Sequence, residues 1–291
     1  MKVIKVSNSK YPRLLKQIGN PPKELYYKGK WDTRLFKNCL TVVGSRRITT
    51  YGRRITDQLV TKIASAGVTI ISGFMYGVDA QAHKAALSAG GRTIAVMPCG
   101  IDLIHPEYQK DIYEEILAKD GLIVSEWEGD SCPTFWTYPQ RNRIVAGLSQ
   151  ATLVVEAGHK SGSLITADLA KKFNRELFAV PGPLTSSVSQ GTLQLIKDGA
   201  EMVISANDVL SYYGLSNSEY STNCFSFSGL NRLEQSIVES LAQEPREIDV
   251  LSRLVDVSAS ELGAALSLMQ LRGVISEEEG KYYVNSSRSN S

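Results

Sequence analysis

Four short stretches carry side chains that could do chemistry. Gly44-Ser45-Arg46 closes a β-branched run; the glycine permits a sharp turn, the serine hydroxyl can cap an approaching group, and Arg46 offers a bidentate donor to a carboxylate or phosphate. A surface arginine paired with a carboxylate is the plainer reading. Ser72 to Leu87, SGFMYGVDAQAHKAAL, places Asp79 and His83 four residues apart, one helical turn, so that both could face the same solvent region as an acid–base pair. No nucleophile or metal-type spacing accompanies them. The favoured reading is structural, with Asp79 serving the first helical turn and its dipole and His83 bonded beneath the loop. Phe135, Trp136 and Tyr138 precede Gln140-Arg141-Asn142-Arg143. Aromatics beside arginines can stack bases and grip phosphates; a loop between Pro133 and Pro139 that packs down as core is the competing reading. Glu156 to Ser163 is a further strand-to-helix turn, with Lys160, Ser161 and Gly162 at a small, polar helix start suited to an anion.

None of these turns is the G-x-G-x-x-G of a dinucleotide site or a Walker loop, so no cofactor is expected. The four cysteines are scattered without a C-x-x-C pair and the three histidines lie far apart, which argues against a zinc or other metal centre and for a reducing cytoplasm. No apolar run approaches membrane-spanning length and no signal-peptide core opens the sequence, so no membrane contact is expected. The net charge of +2 hides an asymmetry: from Ser228 onward there are 6 Lys and Arg against 10 Asp and Glu. A polyanion should prefer the first part of the chain.

The elements that must position these residues are legible as apolar runs: Leu40–Val43, Val68–Ile71, Thr93–Met97, Leu122–Val124, Thr152–Val155, Leu177–Val180 and Met202–Ile204. Each is almost continuously apolar and β-rich, as strands buried on both faces must be. Helices are predicted at Tyr51–Ala66, Val78–Ala89, Lys110–Ala118, Arg143–Leu148 and Ser163–Phe173, long enough for βαβ crossovers. The fold class is α/β: an extended Rossmann-like, doubly wound, mostly parallel sheet over 39–213, with a small C-terminal winged-helix domain. An N-terminal segment, 1–38, reads as extended chain laid across the domain. Residues 214–228 read as a polar linker, 229–285 as three helices and a hairpin, and 286–291 as a disordered tail.

Taken together, VGSRRITTYG, SGFMYGVDAQAH, TIAVMPCGID, LIVSEW, PQRNRIVAGLS, VVEAGHKSGSLITADLA, FAVPGPL and Gly199-Ala200 resemble the sequential motifs of the DNA-processing protein A family (DprA, also called Smf). The likeness runs from Tyr11 to about Ala206. The resemblance implies a Rossmann domain that binds single-stranded DNA, a homodimer, and loading of the RecA recombinase during natural transformation or homologous recombination. By position it implies a DNA pocket of Ser45, Arg46, Arg47, Arg141, Asn142, Arg143, Ile144 and Lys160. The loops would be structured by Gly44, Ser72, Gly73, Gly77, Asp79, His83, Ser161 and Gly162. Some members carry an aromatic where Ile144 stands, a Gly-x-Asn where this chain has Gly191-Thr192-Leu193, and Tyr-Pro where it has His105-Pro106.

Three functions compete at this point: a strand-binding module without chemistry, a Rossmann nucleotide hydrolase of the phosphoribohydrolase type, and a winged-helix transcription regulator. The hydrolase pattern of PGG-x-G-T followed by glutamate is missing, since only Val180-Pro181-Gly182-Pro183 stands there. The candidate recognition helix, Ser258 to Arg272, holds one acid and one base, too few cations for reading DNA. Strand binding without turnover is therefore expected, with Thr192, Leu193, Ile196 and Met202 on an exposed dimer or partner surface.

Overall fold

The computed structural model describes residues 2–216, 230–278 and 280–284; most of the expected linker and the tail lie outside them. The chain divides into two compact units, Met1–Asn217 and Ser218–Ser291.

In the first unit the chain runs β1 (Lys2–Lys5), α1 (Arg13–Lys16), β2 (Glu24–Gly29), β3 (Cys39–Val43), α2 (Thr50–Ser65), β4 (Thr69–Ser72), α3 (Val78–Ser88) and β5 (Thr93–Val96). It continues through α4 (Lys110–Ala118), β6 (Leu122–Ser125), α5 (Thr137–Leu148), β7 (Ala151–Val154), α6 (Gly162–Lys172) and β8 (Glu176–Ala179) to α7 (Gln190–Lys197), β9 (Glu201–Met202) and α8 (Ala206–Tyr212). One nine-stranded sheet results, in the order β1-β2-β6-β5-β4-β3-β7-β8-β9. The strands from β3 to β9 are parallel. The chain winds outward from β3 to β6 and then returns to β7 on the other side of β3, which makes the crevice between β3 and β7 the topological switch point.

Six of the predicted strands, β3 to β8, form because alternate residues enter opposite hydrophobic layers; the seventh, predicted at Met202–Ile204, is only the two-residue β9, exposed at the sheet edge. Val43, Ile71, Ile94, Val124 and Val154 pack on one side with Ile144 and Leu148 of α5. Leu40, Val42, Ile70 and Leu153 pack on the other with Leu59, Val60 and Ile63 of α2. The N-terminal segment departs from expectation. It is not merely draped chain: β1 pairs antiparallel with β2, Ile4 opposite Leu25, and β2 pairs antiparallel with β6, Tyr27 opposite Val124. Leu25 is buried in one hydrophobic layer and Tyr26 packs partly buried against the other, while Lys2 and Lys5 of β1 are exposed at the sheet edge.

α5 also departs from expectation, beginning six residues before Arg143 and enclosing Pro139 through Asn142. A proline in the first turn forfeits an N–H that would have no intrahelical partner in any case. Arg141 therefore projects from the helix, as Arg143 does, rather than from the loop before it.

The second unit runs α9 (Arg232–Gln243), β10 (Arg246–Glu247), α10 (Ile248–Val255), α11 (Ala259–Leu271), β11 (Ile275–Glu278) and β12 (Lys281–Val284). Its own core joins Ile237, Leu241, Leu251, Leu262, Leu266 and Met269 to the hairpin. The Asn231 side chain accepts from Glu234 N at 2.9 Å, and the Glu234 carboxylate accepts from Asn231 N at 2.9 Å, a capping box that starts α9.

Candidate nucleic-acid interface

The parallel strands deliver their turns to one edge of the sheet. After β3, the Ser45 hydroxyl donates to Arg47 O at 2.9 Å and accepts from Arg47 N at 3.0 Å, closing the turn on itself. Ser45 O accepts from Val78 N at 3.1 Å, tying this turn to the start of α3. Gly77 makes that contact possible: its φ is +76°, and a Cβ there would lie 2.1 Å from Ser45 O. With the backbone so fixed, Arg46 and Arg47 are left exposed. The Arg46 guanidinium carbon stands 5.1 Å from the centroid of the Tyr138 ring, a cation–π contact. Tyr138 Oη is 3.0 Å from His105 Nε2, and burial together with the Arg46 charge holds His105 below its ordinary pKa. Just before α5, Phe135 and Trp136 are 94% and 82% exposed. The aromatic run is thus solvent-facing and not core.

The arginines of α5 behave otherwise than expected. Arg141 is 3% exposed, and its Nη1 donates to Gly73 O and Val96 O at the ends of β4 and β5. Its Nε donates to Asn142 Oδ1 at 3.2 Å. Desolvation pushes its pKa down to about 10 against the opposing charge of Asp79. Arg143 is likewise spent: it bonds both Glu126 oxygens at 2.6 and 2.9 Å, Asn20 O at 3.0 Å and Gln140 O at 2.9 Å. Ile144 is fully buried in the core, where no ligand reaches it. Of the stretch 141–144, only Asn142 is partly open, and its side-chain oxygen serves Arg141. The polar residues here join strand ends, which corrects the picture of a free basic ledge.

Asp79 and His83 share a face, but it is an inward one, so they do not form a solvent-facing acid–base pair. The Asp79 Oδ2 accepts from Met75 N at 3.3 Å, bracing the β4–α3 turn, while the Ser72 hydroxyl donates to Val42 O at 2.7 Å. Burial raises the Asp79 carboxyl, and Arg141 opposes that rise. His83 is fully buried with Nδ1 2.7 Å from Thr93 Oγ1, whose own proton goes to Ile70 O at 2.8 Å. Nδ1 therefore carries the ring proton and Nε2 has no partner among the described residues. Burial drives the ring pKa down to about 3, so the imidazole stays neutral.

At the switch point, Glu156 reaches from the end of β7 to the N-terminus of α2. Its carboxylate accepts from Thr49 N at 3.0 Å and from the Thr49 hydroxyl, which itself accepts from Gly52 N at 3.0 Å. A Cβ on Gly52 would stand 2.3 Å from the Glu156 carboxyl carbon, so glycine makes the room. A dinucleotide binder places its pyrophosphate at this helix end; here the chain supplies its own anion. Beyond it, the Ser161 hydroxyl accepts from Ser163 N at 3.3 Å to begin α6 at Gly162, while Lys160 stays exposed in the turn.

Between the β3–α2 turn and the starts of α3 and α4 opens a cleft of about 420 Å³, lined among others by Arg46, Arg47, Arg53, Tyr76, Lys84 and Tyr108. None of its four cations makes an ion pair among the described residues. Arg53, Tyr76, Lys84 and Tyr108 escaped sequence reasoning. For Lys84 a signal existed: Gly77, Ala80, Gln81 and Lys84 form the open stripe of α3, opposite buried Val78, Ala82 and Ala85.

Comparison with known proteins decides the family. Residues 2–214 match the model of DNA recombination-mediator protein A, and residues 228–281 match the DprA winged helix domain. The chain belongs to the DNA recombination-mediator protein A family. Within it, the protein Smf of Synechocystis sp. is 34% identical over 308 residues, covering 94% of this chain and 77% of that protein. The DNA processing protein DprA of Bacillus subtilis is 37% identical over 217 residues, covering 75% and 73%. Among solved structures, the Streptococcus pneumoniae DprA superposes with a TM-score of 0.68 at 36% identity, covering 72% of this chain and 73% of that one. The Helicobacter pylori DNA processing protein A, solved for insight into its single-stranded DNA binding mode, gives 0.65 at 33% identity, covering 73% and 96%. Among the described residues, no helix of this family member is long and apolar enough to cross a membrane.

The expected partner surface is rearranged. Thr192 is buried and donates to Ser189 O at 3.0 Å, and Ile196 packs against the core, so neither lies on an open face. Leu193 is half-buried. The apolar groups that do reach solvent are Met202 on β9, the strand at the open edge of the sheet, and Ile204 just beyond it, the latter 76% exposed.

Proposed function

We propose that the first unit binds single-stranded DNA with little sequence preference, and that it does so without turnover, to deliver the strand to the RecA recombinase in transformation or recombination. The observation that carries this reading is Arg46: an exposed cation stacked on Tyr138, beside the solvent-facing rings of Phe135 and Trp136, at the mouth of a cleft with three further unpaired cations. Unpaired cations interleaved with exposed rings suit a flexible strand whose bases are available for stacking, whereas duplex DNA hides its base faces. Asn142, partly open on α5, and Lys160, exposed in the β7–α6 turn, are proposed as subsidiary contacts; Arg141 braces the ends of β4 and β5.

The hydrolase reading finds no support in the geometry. The imidazole of His83 is sealed and neutral, Asp79 braces a turn, and Glu156 is committed to Thr49. Nor does the second unit favour a reader of DNA. Arg272, the base at the end of α11, is paired with Glu234 at 3.0 Å. RecA delivery is supported by the family's designation as recombination mediators. A homodimer is supported by the open β9 edge with Met202 and Ile204 exposed, since a short apolar edge gains from pairing with a second copy.

Fluorescence anisotropy with labelled single-stranded and duplex oligonucleotides tests the binding. The wild type should prefer the single strand and Arg46→Ala should lose most of it. Shortening of the lag in RecA-dependent ATP hydrolysis on DNA coated with single-strand-binding protein tests delivery, and an unchanged lag would remove that part of the proposal.

A further inference from the structure

We propose that Tyr76 and Tyr108 form a base-stacking subsite, so that a DNA strand held at Arg46 continues into the cleft between α3 and α4 with one of its bases laid on this ring pair. The inference rests on the strand-binding reading above and adds to it a defined second contact. The two rings come from different elements, Tyr76 from the β4–α3 turn and Tyr108 from the 3-10 turn Glu107–Gln109 that precedes α4. They lie parallel, with centroids 5.8 Å apart and planes 16° from each other. Neither belongs to the core, Tyr108 being 68% exposed. A stacked pair of large rings in open solvent at the wall of a cleft offers a flat π face for a third ring to extend.

The backbone that carries both rings is held before any ligand arrives, and the rings stack on each other. Tyr76 sits between Met75, whose N–H is bound by Asp79, and Gly77, locked against Ser45. The turn bearing Tyr108 is tied to the β4–α3 loop through Gln109 Nε2, which donates to Phe74 O at 3.4 Å. Preordered rings lose little conformational entropy on contact, which raises the return from stacking. The phosphates flanking such a base have cations at hand in Arg47, Arg53 and Lys84, against the single acid Asp111 in the cleft wall. Arg46 belongs to both places, lining the cleft and lying over Tyr138, and so joins the aromatic ledge to the ring pair.

The test is equilibrium binding of full-length protein to a thymidine oligomer of about fifteen nucleotides, a length within the footprint of single-strand-binding grooves, and to an abasic oligomer of the same length. The wild type should bind the thymidine strand about tenfold more tightly than the abasic one. Tyr108→Ala, or Tyr76→Leu, should weaken the thymidine strand and narrow that gap. Lys84→Glu should weaken both strands, whereas Lys171→Glu on the last turn of α6 serves as the charge-matched control. If the tyrosine variants retain wild-type affinity and the full gap, the subsite is refuted while strand binding stands. If wild type binds neither strand, the underlying reading falls and this inference with it. Complete displacement of the strand by millimolar thymidine monophosphate would overturn the subsite in favour of a free-nucleotide site.

Discussion

The carboxylate of Glu156 occupies the N-terminus of α2 by accepting hydrogen bonds from the backbone and hydroxyl of Thr49. The Rossmann arrangement keeps its switch point, yet the place where a nucleotide phosphate would rest is filled from within. The cations that remain open to an anion lie beside that helix end, at Arg46 and Arg47 of the β3–α2 turn, and in the cleft that opens toward α3 and α4.

Glu156→Gln should therefore weaken the fold. It replaces a charged, buried cap by a neutral amide that can satisfy Thr49 only in part, at a cost of about 2 kcal/mol. Urea unfolding followed by circular dichroism measures this. An unchanged midpoint would show that Thr49 caps α2 without help.

Arg46 and Arg141 should separate binding from stability. Arg46→Ala removes an exposed cation and should cost binding about 1.5–3 kcal/mol with little change in melting temperature. Arg141→Ala strands the carbonyls of Gly73 and Val96 and leaves the Asp79 charge uncompensated, a loss of roughly 3 kcal/mol of folding stability. Parallel thermal melts and anisotropy titrations distinguish them; a stable Arg141→Ala that fails to bind would return Arg141 to the contact surface.

That contrast shows what the sequence could and could not convey. The parallel strands β3 to β8 were legible because burial on both faces writes a nearly continuous apolar run, as in Leu40–Val43. β1 and β2 were not, because an edge hairpin with Lys2, Lys5 and Glu24 facing water writes only a faint alternation. Arg46 was legible at a turn whose glycine and serine announce it. Arg141 and Arg143 carry the same chemistry and the opposite fate, since their role depends on α5 starting before Pro139 and turning them toward strand ends. Tyr108 lies in a turn that only the tertiary fold brings opposite Tyr76.

His83 gives the protein a signature in acid. Its folded pKa of about 3 lies below the ordinary histidine value, so between about pH 6.5 and 3 the unfolded chain binds a proton that the folded one refuses. The stability attached to a neutral His83 is fully present above that window and is lost as pH falls through it. Asp79, its carboxyl raised by burial, acts in the opposite sense in the acid range. His83→Gln should flatten the loss of stability between pH 7 and pH 4, read from unfolding midpoints across pH; a slope equal to wild type would contradict the neutral, buried imidazole.

The two units should be separable. The second has its own core and an acid excess, so residues 1–216 should fold, remain dimeric and bind oligonucleotide as the full chain does. Ile204→Glu should make that fragment monomeric, because a charge on the β9 edge cannot be buried against a second copy without several kcal/mol of penalty. Sedimentation velocity reads both outcomes, and a monomeric wild-type fragment would move the interface elsewhere.

The most direct measurement of the central claim is the salt dependence of oligonucleotide binding by the full-length protein, single strand against duplex. Neutralisation of about three phosphates by Arg46 and its cleft neighbours gives a slope of log K against log salt near −2 for a single strand, with the single strand bound more tightly than the duplex at every salt concentration. Binding that ignores salt, or that favours duplex, would contradict the account.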